Sequence, residues 1–142
     1  MAHIFQFGVE NFIELNERGE RFCNEDLSMA NIAKVILNQP GSKVFQIIDA
    51  KADDYYPIDT VLPMMRSYGD GETYSAEADT LEELAEKMGL DAATLNETLT
   101  NYNAYCDAGH DPEFGRLKLA KLNAPYCAVR VTPCEIITYG GI

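Results

Sequence analysis

A few residues in this sequence have types and spacings that chemistry uses. Tyr139 stands immediately before Gly140 and Gly141, where two residues without side chains let a ligand approach the backbone and a phenol can reach it as a proton donor. Arg21 lies in the run from Gly19 to Met29, "GERFCNEDLSM". A guanidinium can clamp a carboxylate with two parallel bonds, but Glu20, Glu25 and Asp26 stand beside this one and favour an internal ion pair. Cys23, Cys106, Cys127 and Cys134 form no Cys-x-x-Cys pair and no haem-attachment run, and His3 and His110 are not spaced as ligands, so no metal site is expected. Scaffolds that depend on disulfides are shorter and denser in cysteine, which leaves these four as buried or half-buried free thiols. Tyr102 and Tyr105 fall in a strongly helical stretch and read as packing residues.

The elements that must hold these groups alternate between strands and helices. Residues 10–15 and 20–24 flank the turn signal Asn16-Glu17-Arg18-Gly19, which predicts a β-hairpin. From Leu27 the period changes: Met29, Ile32, Ala33 and Ile36 fall on one helical stripe, with Asp26 or Ser28 as the cap and Pro40-Gly41 as the stop. On that pattern alone Met29 is a core filler. The β-branched run Val44–Ile48 predicts a buried strand. Residues 50–78 are the least legible; Pro57 opens a short helix through Met65, and Gly69-Asp70-Gly71 is a turn.

Thr80 and Glu83 form a capping box before the apolar stripe Leu81, Leu84, Ala85 and Met88, and Gly89 suits the left-handed residue that closes this helix, with Leu90 folding back on it. Asp91 caps a second helix carrying Ala92, Leu95, Leu99, Tyr102 and Cys106 on one face, ended by Gly109. After a loop, "DPEFGR", the alternation from Cys127 to Thr132 predicts a half-buried strand, interrupted at Pro133 and resumed from Glu135 to Tyr139. The fold class is α+β, a small sheet with packed helices.

Composition narrows the function. A chain of 142 residues fits one domain, and 46% apolar with 24% charged residues is ordinary for a globular protein. A net charge of −12 without a local Lys/Arg cluster repels phosphate backbones, so nucleic acid is not an expected partner. No run of about 20 apolar residues exists to span a membrane, and the first residues lack the charged start and apolar core of a signal peptide, which leaves the location unassigned and no membrane partner expected.

"GERFCNED", then "ADTLEELAEKMGLDAATLNETLTNYNAYCDAGHDPEFGR", then "APYCAVRVTP" and "TYGGI", in this order and spacing, resemble the substrate-capping domain of the FAD-dependent fumarate reductase, urocanate reductase and 3-ketosteroid dehydrogenase superfamily. The likeness runs from about Gly19 onward. It implies a domain inserted in a larger FAD-binding domain, with substrate held between the two. No Gly-x-Gly-x-x-Gly fingerprint is present, so the resemblance further implies a fragment, with FAD belonging to the parent and not expected on this chain. Gly140 and Gly141 would pass close to the flavin.

Members that reduce fumarate carry a proton-delivering arginine after this Asn-Glu pair and a dicarboxylate-binding histidine before the Thr-x-Gly-Gly. Counting from Asn24-Glu25 puts Met29 at the first position, and Ile137 stands at the second, with Thr138 beside it. A thioether and a sec-butyl group supply neither acid nor cation. The resemblance therefore implies a substrate less polar than fumarate, contacted by Met29, Ile137 and Thr138, with Tyr139 the proton donor nearest to hand. The alternative is a free-standing acidic ligand-binding or interaction domain without catalytic activity; a dinucleotide fingerprint upstream in the same reading frame separates the two.

Overall fold

The computed structural model describes residues 12–49 and 75–131. Along the chain these form β1 (Phe12–Asn16), α1 (Met29–Leu37), a short 3-10 turn (Pro40–Ser42), β2 (Val44–Asp49), β3 (Ser75–Ala78), α2 (Leu81–Met88), α3 (Ala92–Ala108) and β4 (Tyr126–Val131). The strands make one antiparallel sheet in the order β1-β2-β4-β3. The expected helix over 57–65, the turn at 69–71 and the strand resumed after Pro133 fall outside the described residues.

Pleating divides the sheet's side chains between two cores. Ile13 pairs with Ile47, Ile47 with Ala128 and Ala128 with Ala76, and these join Leu81, Leu84, Ala85, Met88, Leu95, Leu99 and Tyr102 of α2 and α3. On the opposite face Phe12, Val44, Ile48, Cys127, Val129 and Val131 pack with Ile32 and Ile36 of α1. The sheet is thus covered on both sides, which corrects the expectation for β4: Ala128 is as buried as its neighbours Cys127 and Val129 because helices lie on either face.

The helices follow their local signals. The Thr80 hydroxyl accepts the Glu83 amide at 3.2 Å, and the Asp91 carboxylate accepts the Thr94 amide at 2.8 Å. Gly89 and Gly109 are both left-handed closing residues, each followed by a backbone bond from the next amide back into the last turn. At α1 the structure decides between the caps: Ser28 occupies the position without a side-chain bond, while Asp26 is used elsewhere.

The expected hairpin is realised only as far as one bridge, Leu15 to Arg21. The Asn16 side chain accepts the amides of Arg18 and Glu20, which closes the turn, and beyond Arg21 the chain leaves the sheet because that side chain turns into the interior. Gly19 makes the turn at φ +83°, with its carbonyl accepting the Thr98 hydroxyl at 2.8 Å. A Cβ there would meet the Leu95 backbone at 3.6 Å, an ordinary contact, so the cost of Gly19→Ala is conformational. We expect it to lower the unfolding free energy in urea by about 1–2 kcal/mol; no loss would mean that the turn relaxes to a right-handed form.

Candidate functional site

Arg21 and Arg116 lie on loops flanking the ends of the helices, and both side chains are almost completely buried. Arg21 donates Nε to Glu25 Oε1 at 2.9 Å, Nη2 to Glu25 Oε2 at 2.7 Å and Nη2 to Asp111 Oδ2 at 2.9 Å. Its guanidinium stacks 4.9 Å from the Tyr102 ring centre and 5.1 Å from that of Phe114. Arg116 donates Nη1 to the Phe12 carbonyl at 2.6 Å and to the Tyr102 hydroxyl at 3.0 Å, and Nε to Asp26 at 3.3 Å.

Burial opposes the charge on Arg21, but the bonds to Glu25 and Asp111 outweigh it and push its pKa further up. Burial likewise opposes ionisation of Asp111, and Arg21 reverses this, holding that carboxyl below its ordinary range. The Tyr102 hydroxyl is pushed up, chiefly by burial, and so stays protonated. Burial, with Glu25 and Glu14 adding, also raises the Cys23 thiol, which makes it no nucleophile.

These bonds stitch residues 21–26 to residues 111–118. Asp111 shapes its own loop by accepting the amides of Glu113 and Arg116. Asn24 donates to the Phe114 carbonyl, and Asp26 Oδ2 accepts the amides of Leu117 and Lys118 at 2.8 and 2.9 Å. What the arrangement does is positional: it clamps the segment that leads directly into α1, whose first residue is Met29. The ion pair foreseen for Arg21 is present, with Glu25 as one partner and the unforeseen Asp111 as the other.

Arg116 and Asp111 escaped sequence reading because loop charges default to solvent. A signal was available: "GERFCNED" and "DPEFGR" each carry an arginine and acids, and the two runs meet in the fold. Ile137, Thr138, Tyr139, Gly140 and Gly141 lie outside the described residues, as does Cys134. Cys23 and Cys127 are buried free thiols and Cys106 a half-buried one. Among the described residues no group of three or more His, Cys, Asp or Glu is arranged to hold a metal ion, and no helix is long and apolar enough to cross a membrane.

The chain belongs to the FAD binding domain family, which matches residues 4–142. It is 34% identical over 137 residues to an NADH:acrylate oxidoreductase from Vibrio harveyi, a match that covers 94% of this chain and 13% of that protein. Its fold is similar to part of an open conformation of a flavocytochrome c3 fumarate reductase, with a TM-score of 0.75 and 27% identity over 91% of this chain and 22% of the other. A fumarate reductase flavoprotein subunit from Lactobacillus plantarum, solved in solution by NMR, shares the fold with a TM-score of 0.66 and 20% identity, covering 92% of this chain and 88% of that one.

Membership of the family implies FAD in the parent protein. The described residues do not themselves fit the pyrophosphate of a flavin dinucleotide. The start of α2 carries Glu82 and Glu83 and Asp91 caps α3, so these two helix starts present carboxylates to an anion, and α1 begins after Ser28 with no glycine-rich turn before it.

Proposed function

We propose that this chain is the substrate-capping domain of a flavin-dependent oxidoreductase of the fumarate reductase type, and that its substrate is less polar than fumarate. One observation carries the reading: the buried clamp around Arg21 and Arg116 ties residues 21–26, just ahead of Ser28 and α1, to the loop at 111–118, which anchors the approach to that helix. In the resemblance the start of that helix faces substrate, and here the place belongs to Met29. With Ile137 at the second polar position, the cleft has an apolar lining, and a dicarboxylate would be costly to desolvate there.

The name of the Vibrio relative fits this direction, since acrylate carries one carboxylate where fumarate carries two. In the proposed arrangement Met29, Ile137 and Thr138 contact the substrate, Tyr139 holds the proton to be delivered, and Gly140 and Gly141 let the backbone pass close to the flavin of the parent's other domain. The clamp's own part is to orient the cap's substrate-facing edge.

The test uses the full-length flavoprotein. Its flavin is reduced, and reoxidation is followed with fumarate, with monocarboxylate enoates and with uncharged enones. Faster reoxidation by the less polar acceptors is expected. Rapid reoxidation by fumarate alone would overturn the reading and place Met29 out of register with the arginine position.

A further inference from the structure

Glu14 lies in the middle of β1 on the face covered by α1, and it pairs across the strands with Gln46 of β2. Both are buried, at 2% and 1% exposure. Gln46 Nε2 donates to Glu14 Oε1 at 3.0 Å. The other oxygens of the two groups, Glu14 Oε2 and Gln46 Oε1, are buried without a hydrogen-bond partner among the described residues. With the carboxyl ionised, both are acceptors, and neither has a proton to share.

Among the described residues no donor is bonded to these two oxygens, although Ser75 Oγ, in the same cross-strand row two strands beyond Gln46, and Arg21 Nη1 are buried donors without hydrogen-bond partners. From β2 and α1 the neighbours on this face are Val44, Ile48, Ile32 and Ile36. Glu25 brings negative charge and already accepts Glu14's own amide at 3.3 Å. Cys23 is a buried thiol nearby, and Arg116 is the facing cation, with bonds to Phe12, Tyr102 and Asp26. Arg21 is engaged by Glu25 and Asp111.

We propose that Glu14 is a proton-binding site of this domain: a neutral acid whose Oε2–H donates to Gln46 Oε1 while Gln46 Nε2–H donates back, a closed pair that opens when the proton leaves. A single proton satisfies both orphaned oxygens. Burial, with the charge of Glu25 adding and the Gln46 bond and Arg116 subtracting, lifts this carboxyl from 4.5 to about 8.

The sign of the pH dependence follows. Between those two values the folded chain holds a proton that the unfolded chain has lost, so rising pH drains stability. The contribution is complete below about 4.5 and gone above about 8.

The experiment is urea unfolding of the 142-residue chain from pH 5.5 to 9, with carbon-13 NMR of its glutamate carboxyl carbons over the same range. The Glu14 signal is assigned by its loss in Glu14→Gln. The unfolding constant should rise by up to about tenfold per pH unit through this range through Glu14 alone, then level off. Glu14→Gln and Glu14→Leu should both remove that slope and leave the chain more stable than the parent sequence at pH 9. The carboxyl carbon itself should titrate in mildly alkaline solution, which is read on the unsubstituted chain and stands even if a variant fails to fold. Titration of every glutamate carbon below pH 5.5, or one pH slope shared by all three proteins, would overturn the proposal.

Discussion

Replacing Arg21 by methionine lowers the unfolding free energy of the 142-residue chain by about 3–5 kcal/mol, as measured by urea unfolding at pH 7. The size comes from what is left behind. Methionine fills much of the space against Tyr102 and Phe114, but Glu25 and Asp111 lose the cation that made their burial tolerable. Arg21→Lys recovers only part of the loss, because an ammonium cannot span both Glu25 oxygens as the guanidinium fork does. A loss under about 1 kcal/mol would show that water reaches the cluster and that it behaves as a surface pair.

Fumarate turnover by the parent flavoprotein stays at background when Met29 alone is changed to arginine, and rises by about 10²–10⁴-fold when Ile137→His is added. In the proposed cleft the first change would supply an acid and the second a group able to bind a carboxylate; neither suffices alone, because an unanchored dicarboxylate does not present its double bond to the acid. Steady-state fumarate reduction by the single and double variants decides it. Full activity in Met29→Arg alone would remove Ile137 from the proposed cleft.

What the sequence showed and what it hid divide along a physical line. The stripe Leu81, Leu84, Ala85 and Met88, with Thr80 before it and Gly89 after it, was legible because every interaction that specifies it lies within a few residues. The same holds for Asp91, Leu95, Leu99 and Tyr102. β3 was missed because Ser-Ala-Glu-Ala carries no strand propensity and exists only by pairing with β4.

Glu14 was missed for a related reason. In "FIEL" the alternation marks Ile13 and Leu15 as inward and leaves glutamate on the other face, which reads as solvent until α1 is known to cover it. Of the candidate site, the Arg21 pair was legible from its neighbours Glu20, Glu25 and Asp26, whereas Asp111 and Arg116 arrive from 90 residues away, and only the matching charges of the two runs hint that they meet. The resemblance supplied the positions of Met29 and Ile137, which periodicity alone assigns to the core.

The Arg116 bond to the Phe12 carbonyl bridges 104 residues of chain. On a ribosome adding about 5–20 residues per second, β1 emerges roughly 5–20 s before the guanidinium that completes it. Through that interval β1 and α1 can meet β2 and Arg21 can hold Glu25, but the junction lacks the Arg116 and Asp111 bonds that close it, and a chaperone or a neighbouring nascent chain has access to it. Translation speed across the segment coding for α3 and the loop after it therefore sets how long this junction stays open, and synonymous changes that slow it should raise the share of aggregated product without altering the folded protein.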